Sequence, residues 1–217
     1  MRTLSVRTRI KFCGVTRIED VRAAANAGAD AIGFIFAAGS PRCIERAQFA
    51  TLIAAVPAFV TPVALFRDNS EADIAETLAV ASRLMAQFHG DETAAFCASF
   101  QRPWLKAVPM GALDDAALTP FLQSFADAGC AGFVFDSHGG GQSGGSGRGF
   151  DWARIPASVP APVVLAGGLT PETVFDAVRR VRPFAVDVSS GIESAPGIKD
   201  HAKMQRFTEE VIRARTD

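Results

Sequence analysis

The sequence predicts an α/β fold, a single-domain (β/α)8 TIM barrel over residues 1–217, on three observations. Eight short apolar runs lack the strict alternation of half-exposed strands, as parallel strands buried on both faces do. Stretches with helical spacing separate them, the alternation of strand and crossover helix that builds parallel sheets. The first run is followed by Cys13-Gly14-Val15-Thr16, not by the Gly-x-Gly-x-x-Gly turn usual in a doubly wound open sheet, the alternative fold. A length of 217 residues lies near the short end of the range for such barrels, ~200 to 400.

In chain order, residues 1–8 read as a short basic arm before the first strand, Ile10–Cys13. Thr16-Arg17-Ile18-Glu19 has the form of a capping box opening the first helix. The second strand is Ala31–Phe36. Phe49 to Phe66 carries no charge and is long enough for a membrane span, but Pro57 and Pro62 divide it into a helix ending near Val56, a loop and the third strand, Thr61–Phe66. Leu84–Phe88, Trp104–Ala107 and Gly132–Phe135 are strands four to six. Gly139–Gly149, with seven glycines in eleven residues, is an interior loop in the frame of the barrel, although its composition would also suit a linker. Val163–Ala166 is strand seven, and Thr170-Pro171-Glu172 reads as a Thr cap with Pro at the first helical position. That helix places Val174, Val178 and Val181 on one face. Ala185–Val188 is strand eight, and a final helix from Lys199 to Arg213 carries Met204, Phe207 and Val211 on one stripe.

Composition narrows the function. The 22 basic and 23 acidic residues leave a net charge of −1, so no bulk field draws nucleic acid or an anionic membrane. Any anion must be met locally. Cys13, Cys43, Cys97 and Cys130 form no CxxC pair and lie at no zinc-site spacing, which points to reduced thiols and no metal. The Met1–Arg9 stretch lacks an apolar signal region, so a cytoplasmic protein is expected. Monomer and homodimer are both open, because apolar helix faces serve core and interface alike.

In a barrel, reactive groups lie where strands end at the C-terminal face. Four features pass that filter. Cys13 closes strand one beside Lys11 and Arg17 and ahead of a helix, surroundings that lower a thiol pKa, although a small buried Cys reads the same way. Asp136 closes the apolar strand Phe133-Val134-Phe135, where burial would raise its pKa, although a loop-ordering carboxylate fits as well. Together they would make an acid–base pair. The glycine loop after strand six can wrap an anion with bare amides, and Arg148 adds charge. Gly167-Gly168 after strand seven and Ser189-Ser190-Gly191 after strand eight stand where this fold commonly holds phosphate, with a short extra helix able to begin at Ser190.

These residues, with Asp30-Ala31-Ile32-Gly33-Phe34-Ile35-Phe36, Ser40-Pro41-Arg42, Gln87-Phe88-His89-Gly90-Asp91-Glu92, Gly144-Gly145-Ser146-Gly147 and Gly197-Ile198-Lys199-Asp200, occur in the order found in one family. Over nearly its whole length the sequence resembles phosphoribosylanthranilate isomerase of tryptophan biosynthesis. The resemblance implies an Amadori rearrangement of N-(5-phosphoribosyl)anthranilate to 1-(o-carboxyphenylamino)-1-deoxyribulose 5-phosphate, with no cofactor. It implies Asp136 as general acid, Cys13 as general base and Arg42 against the anthranilate carboxylate. Phosphate would be held by amides around Gly145, Gly168, Ser189 and Ser190, with Gly144, Gly167 and Gly191 in the same loops. His89 and Asp187 stand at strand ends, where lining the site and a satisfied structural role are both open. Phe88 stands where the family more often has Leu, and Gly139–Gly141 and the basic arm are extra length. A histidine-pathway isomerase would carry Asp where Cys13 stands, and a synthase of the next tryptophan step would need a Lys/Glu-rich set of strand ends. A silent phosphate-binding barrel would have lost the acid or the base.

Overall fold

The computed structural model describes residues 7–137 and 149–216, with the side chains of the last two of these left aside. Eight parallel strands close into one barrel in sequence order: β1 (Arg9–Phe12), β2 (Ala31–Ile35), β3 (Thr61–Phe66), β4 (Met85–Phe88), β5 (Trp104–Pro109), β6 (Gly132–Asp136), β7 (Val163–Leu165) and β8 (Ala185–Val188). β1 pairs with β8, so the barrel sheet has no free edge. The helices are α1 (Ile18–Asn26), α2 (Arg46–Ala54), α3 (Glu71–Ala79), α4 (Ala94–Ser99), α5 (Asp115–Asp127), α6 (Val174–Val181) and α7 (His201–Thr216). No helix among the described residues is long and apolar enough to cross a membrane.

Alternation along each strand divides two layers. Ile10 and Phe12 of β1, Phe133 and Phe135 of β6, and Val186 and Val188 of β8 point outward into the core under the helices. Leu105, Val134, Val164, Ala166 and Ala185 point inward and plug the barrel. One layer above them the inward positions turn polar: Lys11 stands in register with Asp187, Gln87 with Leu105, and Asp136 closes β6 two residues after Val134. Fully covered side chains such as Phe12, Phe66 and Phe133 each contribute about 1.5–3 kcal/mol through burial, so the helix-facing layer carries most of the stability.

Two helix starts differ from the expectation. Thr16 does not cap α1, because its hydroxyl donates to the Gly197 carbonyl at 2.6 Å and the N-cap is Arg17, without a side-chain bond. A contact across the fold displaced a local one. Thr170 accepts from the Glu172 amide, but this closes only a turn, and α6 begins after Thr173. The extra helix begins at Ser190 as expected, a 3-10 turn over Ser190–Ile192. It leads into a small antiparallel hairpin that the periodicity did not announce, β9 (Glu193–Ala195) and β10 (Ile198–Lys199).

Candidate active site

The C-terminal mouth of the barrel holds one cavity lined from nearly every strand end, including Cys13, Arg42, His89, Asp136, Gly167, Gly168, Asp187, Ser189, Ser190 and Gly191. Ten of the expected site residues therefore meet in one place. The other two, Gly144 and Gly145, lie outside the described residues, as does Arg148.

Cys13 follows β1 and is 4% exposed. Its position explains Gly33 in the neighbouring strand: a β-carbon there would stand 2.7 Å from Cys13 Sγ and 3.1 Å from Lys11 Nζ. Any side chain would push the thiol and the ammonium out of the mouth. The charge environment differs from the expectation, however. Burial pushes the Cys13 thiol up, and the ammonium groups of Lys11 and Lys199 offset this only in part, while the Asp187 carboxylate adds to it. Arg17, expected to help, turns away to grip Asp20 through Nε at 3.0 Å and Nη2 at 2.9 Å. Lys11 Nζ is shared with Asp187 Oδ2 at 2.8 Å, and both side chains are buried.

Across the mouth, Asp136 Oδ2 lies 3.4 Å from His89 Nε2, and Gln87 Nε2 lies 3.3 Å from His89 Nδ1. Gln87, His89 and Asp136 thus form a line of polar groups at the ends of β4 and β6. The outward-facing pair beneath it is structural: Glu92 accepts from Lys106 Nζ, the Asp68 amide and the Gly90 amide, each at 2.9 Å. One carboxylate ties the loops after β3 and β4 together.

The loops after β6, β7 and β8 touch through glycine. A β-carbon on Gly167 would meet the Ser137 amide at 2.7 Å, and one on Gly191 would lie 1.9 Å from the Leu169 carbonyl oxygen. Gly167 and Gly168 also hold φ values of 81° and 72°, the left-handed region open to glycine. The amides of Gly167, Gly168, Ser189 and Ser190 donate to no acceptor among the described residues. Such a cluster of bare N–H groups is a ready anion site.

Arg42, after β2, is buried and already engaged. Its Nε and Nη2 each donate to the Glu193 carboxylate at 2.7 Å. Glu193 also accepts from Lys199 Nζ at 2.8 Å, and Lys199 donates to the Ser189 carbonyl at 3.0 Å. Between these polar regions Ile35, Ala37 and Leu65 form an apolar wall beside Cys13.

Local reading missed Gln87, Glu193 and Lys199 as site groups and named Lys11 only as a cation beside Cys13. For Lys11 and Gln87 a signal existed: each is a polar residue at an inward position of an otherwise apolar strand. Glu193 and Lys199 carried none, because the hairpin that presents them was not foreseen. Two buried acceptors, Gln87 Oε1 and Asp187 Oδ1, have no hydrogen-bond partner among the described residues. Each costs about 1–3 kcal/mol until a donor arrives. The cavity therefore suits a ligand with an anionic end, hydroxyl or N–H donors at its centre and an apolar ring. Among the described residues no group of three or more His, Cys, Asp or Glu side chains could hold a metal ion.

Comparison with known proteins agrees with this geometry. The family model for N-(5'phosphoribosyl)anthranilate (PRA) isomerase matches residues 10–210. The N-(5'-phosphoribosyl)anthranilate isomerase of Xanthomonas campestris pv. campestris is 50% identical over 212 residues, 96% of this chain and 95% of that protein. The crystal structure of phosphoribosyl anthranilate isomerase from Thermotoga maritima superposes with a TM-score of 0.81 at 31% identity, covering 95% of this chain and 99% of the other. A further structure of such an isomerase, in complex with reduced 1-(o-carboxyphenylamino)-1-deoxyribulose 5-phosphate, gives a TM-score of 0.78 at 29% identity, with 95% and 99% covered. With its barrel, its mouth of thiol, carboxyl and bare amides, and its match from residue 10 to residue 210, the chain belongs to the N-(5'-phosphoribosyl)anthranilate isomerase family.

Proposed function

We propose that the chain isomerises N-(5'-phosphoribosyl)anthranilate in tryptophan biosynthesis, with Asp136 as general acid and Cys13 as general base. The activity is that of its family. The observation that carries the residue roles is the order of strands around the mouth. Cys13 follows β1 and Asp136 ends β6, so the bare amides after β7 and β8 lie between them on one side. On the other side lie the apolar wall and Arg42.

A phosphate held at Gly167, Gly168, Ser189 and Ser190 then sets the sugar between acid and base. The anthranilate ring lies on Ile35, Ala37 and Leu65, with its carboxylate towards Arg42. Asp136 donates its proton to the furanose oxygen while the C1–O bond breaks and the nitrogen lone pair forms the C=N bond of a Schiff base. The Cys13 thiolate removes the C2 proton, and the electron pair moves to form an enolamine. Proton transfer to C1 and loss of the enol proton leave the ketone. The sugar hydroxyls supply donors to Gln87 Oε1 and Asp187 Oδ1.

The test is the steady-state loss of substrate fluorescence with wild type, Cys13→Ser and Asp136→Ala, each checked for folding by circular dichroism. Turnover by wild type and a fall in kcat of ~10² to 10⁴ in each variant are expected. A folded wild type without turnover would overturn the activity, and full activity in either variant would overturn that residue's role.

A further inference from the structure

The guanidinium of Arg42 has two hydrogen-bonding edges, and the protein occupies one of them. Glu193 takes the side edge, Nε and Nη2, with two equal bonds of 2.7 Å. The end edge, Nη1 with the second N–H of Nη2, bonds nothing among the described residues. Arg42 lines the cavity, and its stem lies over Gly14, where a β-carbon would fall 2.5 Å from Arg42 Cδ. Stem and side edge are both fixed, so the direction of the end edge is fixed as well.

We propose that Glu193 is a specificity-determining positioning residue, which holds Arg42 so that its free edge receives the ring carboxylate of the substrate. This rests on the function proposed above. A planar fork discriminates only when its plane is set beforehand, and a bidentate carboxylate on one edge sets it. The same contact would place two carboxylates on one guanidinium, and Lys199 removes that conflict. Its ammonium, fully covered, donates to Glu193 Oε1 at 2.8 Å and so gives the Glu193 charge a second cation. Burial pushes the Glu193 carboxyl up, but Arg42 and Lys199 outweigh burial and hold it ionised. Lys199 also donates to the Ser189 carbonyl, so one ammonium links the holder of Arg42 to the loop with the bare amides. Arg42, Glu193, Lys199 and Ser189 therefore form one rigid strap between the two anion-binding ends of the cavity.

The test compares two ligands on wild type and Glu193→Gln: reduced 1-(o-carboxyphenylamino)-1-deoxyribulose 5-phosphate and its counterpart without the ring carboxylate. The carboxamide cannot accept both Arg42 bonds. The carboxylate ligand should weaken on the order of tenfold, as for loss of alignment in a charge-assisted hydrogen bond. The carboxylate-free ligand and orthophosphate should bind as in wild type. In an Arg42→Met background, Glu193→Gln should add nothing, because Glu193 acts through Arg42. Equal weakening of both ligands, tighter binding of the carboxylate ligand, or additive effects in the double variant would overturn the proposal. If Glu193→Gln does not fold, Lys199→Met is compared in the same way, and an unchanged ratio of the two affinities overturns it. Turnover by wild type together with a ratio that is the same in wild type and variant refutes this inference alone, whereas a folded wild type without turnover refutes the proposed function.

Discussion

In the proposed function the two ends of the cavity meet negative charge by different means. After β7 and β8 the groups that face the ligand are main-chain amides, exposed because Gly167, Gly168 and Gly191 carry no side chain and the loops can touch. At Arg42 the group is a side chain, whose position depends on Glu193, 151 residues away in sequence, and on Lys199. The first site is built into local backbone geometry. The second exists only as a network, so changes to single atoms should affect the two ends very differently.

The largest effect is expected from breaking the backbone end. Gly191→Ala forces a β-carbon to within 1.9 Å of the Leu169 carbonyl oxygen, and one loop must move. Where the ~1–3 kcal/mol of overpacking falls on the loops that hold the phosphate, it corresponds to a loss of roughly 5- to 150-fold in phosphate affinity, to be read as KM for substrate and as inhibition by orthophosphate. Unchanged values of both would show that the phosphate does not sit there. Arg42→Lys should have the next largest effect, because it keeps the charge and loses the fork. KM should rise roughly tenfold, while inhibition by orthophosphate stays as in wild type. A parallel loss of phosphate binding would mean that the two ends are one site.

The smallest change sharpens the comparison at the thiol between the two ends. The Asp187 charge helps to push the Cys13 thiol up, and Lys11 works against it. Asp187→Asn removes the anion and leaves the Lys11 ammonium facing Sγ. The thiolate should then form at lower pH, so the rise of kcat/KM with pH should move towards acid. Lys11→Met should move it towards base. The opposite order in pH–rate profiles would remove Cys13 from the role of base. Asp187→Asn also loses a ligand contact, so its plateau should fall while its limb shifts.

Short-range patterns in the sequence carried much of this. Thr61–Phe66 and Ala185–Val188 are strands with the bounds the apolar runs indicated, and the other six differ by a residue or two at their ends. Strand ends located Cys13 and Asp136, because apolar runs stop where the chain reaches the mouth. Gly167-Gly168 marked the loop after β7 and Gly191 the loop after β8, because positive φ at the pair and close approach at Gly191 leave little choice of residue. Helix starts were less legible: the Thr16 hydroxyl went to Gly197 across the fold, since a single polar group can serve either a local cap or a distant carbonyl.

The sequence by itself determined the number and order of the strands, the loops that expose amides, and the residue types available at the mouth, all of which follow from periodicity within a few neighbours. Only the tertiary structure decided which charge faces which. Lys11 meets Asp187 176 residues away, Arg42 meets Glu193, and Arg17 turns to Asp20 instead of the thiol. The direction in which the Cys13 thiol is pushed came from the same source. Burial and Coulomb interactions act through space, and barrel closure brings β8 and the hairpin after it beside β1, a proximity that no local pattern in the chain records.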